Sequence, residues 1–159
     1  MMDSTDRNII ELLQKQGRMT NVELARSNDL APSSMLERVR RLEERGVIKN
    51  YQAILDPKAL GYNVQAMVMI SLDRHQAGPI DLFEEKIHSV PEVKTCYHLT
   101  GRYDYVVHLI VRDIDHLGEV VKHTLAGIVG VEKQETFLVL STVKEDEGYS
   151  LDGIPGTKE

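Results

Sequence analysis

Residues 20–46 read TNVELARSNDLAPSSMLERVRRLEERG, and the fold of the first third of the chain turns on how this run divides. Thr20 can cap a helix, and Glu23 three residues on can reach back to complete a capping box. That helix must be short, because SNDL (27–30) has turn chemistry: Asn and Asp tolerate the left-handed conformation. A longer helix follows at once. Pro32 suits a first helical position, where its missing N–H would have had no partner, and Gly46 supplies a left-handed residue to end it. Two helices joined by a four-residue turn make a helix-turn-helix.

The longer helix, residues 32–45, separates by face. At 100° per residue Met35, Val39 and Leu42 fall together and predict inward packing. Ser34, Glu37, Arg38, Arg41 and Arg45 fall on another side, flanked by Ser33 and Arg40. A recognition helix needs this division. The arginines suit guanine edges and phosphates, and Ser33 and Ser34 lie in the first turn, where hydroxyls and free amides favour phosphate oxygens. Glu37 can accept from cytosine N4. The competing reading is a solvated face laced with i,i+4 pairs such as Glu37–Arg41. The turn, Pro32 and the run after the helix favour the DNA reader.

That run, VIKNYQAIL (47–55), alternates and is rich in β-branched residues, so it predicts a strand, a wing that brings Lys49 near the DNA backbone. Upstream, Asp3–Gln16 predicts a first helix with Ile9, Ile10, Leu12 and Leu13 as its apolar stripe. Downstream, DPKALG (56–61) is a Pro- and Gly-bounded hinge. The organisation predicted is a DNA-binding domain over 1–55, a hinge over 56–61, a second domain over 62–143 and a tail over 144–159. The tail, KEDEGYSLDGIPGTKE, has few apolar residues and three Gly, which predicts mobility.

The second domain has its own rhythm. YNVQAMVMISL (62–72) alternates as a strand does. PIDLFEEKIHSV (79–90) places Ile80, Phe83, Ile87 and Val90 at helical spacing. Two strands follow, at about 93–100 and 104–112. Asp113 can cap a second helix on which Ile114, Leu117, Val121 and Leu125 share a face, and 130–143 closes with a strand. The order β-α-β-β-α-β is the ferredoxin-like pattern. The fold class predicted is α+β, a winged helix-turn-helix followed by a ferredoxin-like domain.

Charge supports the division. Residues 1–55 carry nine Lys/Arg against eight Asp/Glu, and residues 56–159 ten against seventeen, so the net −6 averages over two modules. The 42% hydrophobic and 28% charged content describes a globular protein. No window approaches the ~18 continuous apolar residues of a membrane span. MMDSTDRN does not begin as a secretory signal does, so the expectation is a cytoplasmic protein with no membrane partner.

Catalysis finds little support. The single Cys96 reads as a small core residue in a strand. No Cys/His spacing suggests a metal site, and no Ser/His/Asp or phosphate-loop pattern occurs. With Thr100 opposite Tyr105, His98 pairs with Val107 and His108 with Tyr97, so the two point to opposite faces. His116 and His123 are seven apart on one helix with no third ligand. The expectation is no enzyme, no metal and no cofactor.

One hairpin carries more chemistry than a turn requires. HLTGRYDYVVHLIV (98–111) breaks two apolar runs with Gly101, Arg102, Tyr103 and Asp104, where hairpin tips usually carry simple turn residues. Asp104 could hold an ammonium group, Gly101 permits close backbone approach, and Arg102 offers a fork for a carboxylate. The plain alternative is that Asp104 caps the turn.

Together, the run from NVELARSNDL through DPKALG and the later G-R-Y-D-Y resemble the Lrp/AsnC family of transcription regulators, from about Asp3 to Val143. The resemblance implies a recognition helix at 32–45 and a second domain that senses an amino acid and oligomerises. It implies dimers formed through the sheets that assemble further, commonly into an eight-subunit ring. It also implies an effector pocket between dimers, drawing on the tip residues Leu99, Thr100, Gly101, Arg102, Tyr103 and Asp104, and on Thr136 in the last strand. Three positions depart from the family pattern. Ala31 stands where many relatives have a capping Ser, at a cost of ~1 kcal/mol of helix stability. Met35 stands where relatives often have Cys, and Arg102 where the residue is frequently acidic, which bears on the effector preferred.

The function expected is a sequence-specific regulator that binds double-stranded DNA as a homodimer and responds to an amino acid or a related small metabolite. Two alternatives are an architectural DNA-binding protein whose second domain only oligomerises, and a small-molecule enzyme with a vestigial helix-turn-helix.

Overall fold

The computed structural model describes residues 2–73 and 78–152. The chain forms two units, Met1–Ile54 with Lys144–Glu159, and Leu55–Val143.

The first unit holds α1 (Ser4–Lys15), α2 (Asn21–Ser27) and α3 (Pro32–Glu44). The Thr20–Glu23 capping box forms: the Glu23 amide donates to Thr20 Oγ1 and the Thr20 amide to Glu23 Oε2 at 2.7 Å. Asp29 takes the left-handed conformation in the turn, at φ +51°, as its short polar side chain allows. Ala31 gives α3 no side-chain cap, and Gly46 leaves the helix at φ +68°. Ile9, Leu24, Ala25, Met35, Val39 and Leu42 form the core, so the apolar face expected of α3 does pack inward. α1 is capped by Asp3, which shares a capping box with Asp6.

One expectation for this unit changes. Residues 47–55 form no strand. The amides of Val47 and Ile48 both donate to the Leu42 carbonyl, at 2.9 and 3.2 Å, which folds the run back onto the end of α3. A strand needs a neighbouring strand to bond with, and among the described residues none pairs with this one. The tail is described as far as residue 152. Residues 144–152 lie against α1, where the Gln14 side chain bonds both backbone groups of Tyr149 and Leu151 is buried. A backbone partner, which composition does not display, holds this part; residues 153–159 lie outside the described residues.

The second unit is an antiparallel sheet of β1 (Val64–Leu72), β2 (Val93–His98), β3 (Tyr105–Val111) and β4 (Val131–Leu138), in the order β2-β3-β1-β4. Helices α4 (Pro79–Ile87) and α5 (Ile114–Glu119) join the strands in the ferredoxin-like sequence. Alternation decides the packing. Ala66, Val68, Ile70 and Leu72 of β1 and Tyr105, Val107, Leu109 and Val111 of β3 are buried with Phe83, Ile87, Leu117 and Leu125.

α5 passes into a π-helical turn over Val120–Leu125, which shifts its inner face. Val120 and Leu125, five apart, are buried, while Ile114 is exposed and Val121 only partly covered. Bonds of the i→i+5 kind, such as the Ala126 amide to the Val121 carbonyl at 3.1 Å, replace the α-helical spacing on which the predicted face rested. The β2–β3 hairpin is also slipped by two residues from its expected register. His98 lies opposite Tyr105, and Thr95 opposite His108, because the tip is longer and closes with the Leu99 amide on the Asp104 carbonyl at 2.7 Å. A slip of two preserves the face of every side chain, so His98 and His108 still point to opposite sides.

Candidate functional site

On α3, Ser33, Ser34, Glu37, Arg40, Arg41 and Arg45 are exposed, and Lys49 is exposed beyond the helix. Among the described residues Arg41 and Arg45 have no ion-pair partner, while Arg40 pairs with Glu44 at 2.9 Å, both well exposed. Such an exposed i,i+4 pair contributes little to stability. The predicted Glu37–Arg41 pair does not form among the described residues.

Arg38 differs from the rest. Its Nη1 donates to Asp3 Oδ2 at 2.7 Å and to Asp6 Oδ1 at 2.8 Å. The Asp6 carboxylate is nearly buried, so Arg38 ties α3 to the start of α1. Asp3 is held below the usual carboxylate range, first by the Asp6 amide and then, against some desolvation, by Arg38. The same two acids cap α1 and anchor α3. Tyr51 continues this bracing: its hydroxyl donates to Glu43 Oε1 at 2.9 Å, and burial with that carboxylate pushes the phenol up to about 12.

In the second unit the hairpin tip is built onto its neighbours. The Asp104 amide donates to the Ile70 carbonyl at 2.9 Å, and Asp104 Oδ2 accepts from the Leu72 amide at 2.8 Å. The aspartate therefore satisfies the end of β1. Gly101 holds φ +128°, with open space where a Cβ would point; backbone conformation, not crowding, requires glycine there. Arg102 lies over the Tyr103 ring, 5.2 Å from its centroid, a cation–π contact. The Tyr103 hydroxyl donates to Glu135 of β4, and that carboxylate raises the phenol's pKa. Leu99 is half-buried and Thr100 exposed.

Glu135 was not legible in the sequence, because only the sheet brings β4 to the tip. Thr136 is next to it but not beside it. Thr136 lies opposite Val68 and Glu135 opposite Met69, so the two point to opposite faces. Within one chain the tip meets Glu135, not Thr136.

Glu135 lies opposite Met69 on the sheet face turned away from the helices, the open face, which carries a larger patch. Met67 and Met69 of β1, Val106, His108 and Ile110 of β3 share the face away from the helices with Tyr97 and Phe137. Tyr97 is 59% and Phe137 49% exposed. A contiguous apolar sheet face of this kind marks an interaction surface. His108 lies within it, 3.3 Å from Gln65, and desolvation, with a smaller effect from Lys94, holds its pKa below the ordinary histidine value.

Cys96, His98 and His116 pack or pair within the second unit. Burial and Glu84 push the Cys96 thiol up to about 11, which leaves it protonated and unreactive at neutral pH. His98 stacks on Tyr105 with centroids 4.6 Å apart, and His116 lies 3.2 Å from Glu92. Among the described residues no cluster of His, Cys, Asp and Glu could hold a metal ion, and no helix is long and apolar enough to cross a membrane.

Comparison with known proteins places both units. Residues 65–149 match the family described as the Lrp/AsnC ligand binding domain, and residues 2–49 match winged helix-turn-helix DNA-binding. The leucine-responsive regulatory protein of Escherichia coli is 35% identical over 144 residues, covering 91% of this chain and 88% of that one. A transcriptional regulator of Neisseria meningitidis, solved as a complex with L-Met, aligns with TM-score 0.91 at 32% identity over 96% of this chain and 98% of that one. E. coli AsnC aligns with TM-score 0.81 at 28% identity over 91% and 96%.

Proposed function

Since the chain belongs to the Lrp/AsnC family of DNA-binding transcription regulators, we propose that it acts as a homodimer whose assembly or DNA binding responds to an amino acid held at the hairpin tip. The first unit reads DNA through α3, with Arg41 and Arg45 reaching base edges or phosphates and Ser33, Ser34, Arg40 and Lys49 positioning the backbone. Two copies span half-sites ~34–36 Å apart. Dimerisation covers the open sheet face, and dimers assemble further into a ring of eight. The site of action is the cytoplasm, where the DNA is.

The observation that carries the effector reading is the braced tip. Asp104 is fixed to β1 and Tyr103 to Glu135, so the loop is pre-organised before any ligand arrives. It offers acidic groups to an ammonium, and the amides from Thr100 to Tyr103 to a carboxylate. The Neisseria regulator's complex with L-Met supports an amino acid as the class. Arg102 at the rim, and Thr136 from β4, complete the set of residues to test. The effector shifts regulation only through different affinities for two states of the assembly.

A second reading has its own observation. The Asp104 carboxylate already satisfies Leu72, as in a protein whose second unit only oligomerises and whose DNA binding is architectural. Calorimetric titration of the purified oligomer with each of the twenty amino acids decides between them. A saturable response to at least one supports the sensor. No response to any of them, with DNA absent or present, assigns the architectural role.

A further inference from the structure

Helix α1 has two occupied faces. Arg38 takes the carboxylates at its start, and the tail takes its last turn. Gln14 Nε2 donates to the Tyr149 carbonyl at 3.1 Å, and Gln14 Oε1 accepts from the Tyr149 amide at 2.6 Å. One side chain thus satisfies both backbone groups of a residue 135 positions away, as a neighbouring strand would.

Two further features fit this docking. Gly148 holds φ +90°, and a Cβ there would lie 2.4 Å from Gln14 Oε1, so conformation favours glycine and a side chain would push the Gln14 amide away from Tyr149. Leu151 is 7% exposed, a large apolar residue covered in a segment otherwise polar. Local bonds shape the approach, with the Gly148 amide donating to Asp146 and the Asp152 amide to Ser150.

The chain therefore passes between the units twice. The first passage is held at both ends, by the Val47 and Ile48 amides on the Leu42 carbonyl and by the Tyr62 amide on the Pro57 carbonyl, so its free run is residues 49–56, at most ~28 Å when extended. The second, Val139–Gly148 between β4 and the docked Tyr149, is ten residues and spans at most ~35 Å. Docking the tail gives the DNA-reading unit a second tether of comparable reach, which restrains its rotation about the first.

We propose that residues 144–152 are a strap that docks on α1 and limits the half-site spacings a dimer of this chain can bind. This rests on the dimeric DNA-binding reading above. The tail is also acidic, and a purely electrostatic effect on DNA binding fades as salt rises, which separates it from a tether. The strap acts on spacing through its length, not on affinity through its charge.

Hydrogen exchange on the full-length protein tests the docking, independently of DNA. Amides around Tyr149 are protected in the wild type and lose that protection in Gly148→Val and in Gln14→Ala, the latter a change that favours helix and leaves α1 intact. Binding to duplexes carrying two half-sites, with spacing stepped by single base pairs through one helical turn, tests the consequence. The wild type prefers its best spacing over its worst by tenfold or more; both variants narrow this to about threefold, with affinity at the best spacing kept within about threefold. The strap is overturned by unprotected Tyr149 in the wild type, or by an unchanged spacing profile once docking is lost. It is equally overturned by a uniform gain across all spacings that disappears at high salt, the mark of charge alone.

Discussion

Arg38 of the recognition helix donates to Asp6 of α1 at 2.8 Å, and the Asp6 carboxylate it meets is only 9% exposed. An arginine that helical periodicity assigns to the DNA face also joins two helices of its own unit. Asp3 takes the same nitrogen at 2.7 Å, so the recognition helix is aimed from behind.

The first prediction separates aiming from contact. Arg38→Ala leaves the Asp6 carboxylate without its cation and destabilises the first unit by about 2 kcal/mol, lowering its midpoint in urea. Arg41→Ala and Arg45→Ala leave that midpoint unchanged and weaken specific DNA binding by about tenfold or more, in the range of 1–3 kcal/mol for a lost base contact. An Arg38→Ala protein of wild-type stability with poor DNA affinity would return Arg38 to the contact surface.

The second concerns Asp104. Asp104→Ala removes the acceptor for the Leu72 amide and costs about 1–2 kcal/mol, loosening the tip. Asp104→Asn keeps an acceptor oxygen and holds the tip, with stability within about 0.5 kcal/mol, but lacks the charge. If the carboxylate takes an effector ammonium, the Asn variant loses the calorimetric response while retaining its melting temperature. A response equal to wild type in Asp104→Asn assigns the aspartate to the turn alone.

The third tests the open sheet face. Phe137→Glu places a carboxylate beside Met67, its partner in the β1–β4 register, without disturbing the opposite, buried face. Light scattering should show dimers replaced by monomers at micromolar concentration, because an unpaired charge in an apolar interface opposes association strongly. Unchanged mass would locate the dimer interface elsewhere.

The fourth follows from His108. Its folded pKa lies below the unfolded value of about 6.5, so the unfolded chain binds the proton more readily. Stability is then fully present above pH 6.5 and falls as the pH drops from there through the depressed folded value. Thermal melts at pH 7.5, 6.5 and 5.5 should show the drop in the wild type and a smaller one in His108→Gln. Identical slopes would remove the histidine from the balance.

The sequence by itself determined most of the elements and the buried faces of α3, β1 and β3. Thr20 with Glu23, the SNDL turn and Pro32 each act on backbone within about four residues of themselves, and such local chemistry decides where helices start and stop. Period-two alternation in β1 and β3 fixed which side chains are buried, and it survived a two-residue error in register. The family resemblance rested on those same local runs. What only the tertiary structure decided is which partner each long polar side chain takes. Arg38 could reach DNA or α1, Asp104 its own turn or β1, and Gln14 water or Tyr149. Separations of 32 and 135 residues carry no periodic signal, because the choice depends on which distant backbone the packed core returns to that point. The run 47–55 shows the same limit from the other side: its alternation is that of a strand, but a strand forms only where another lies beside it.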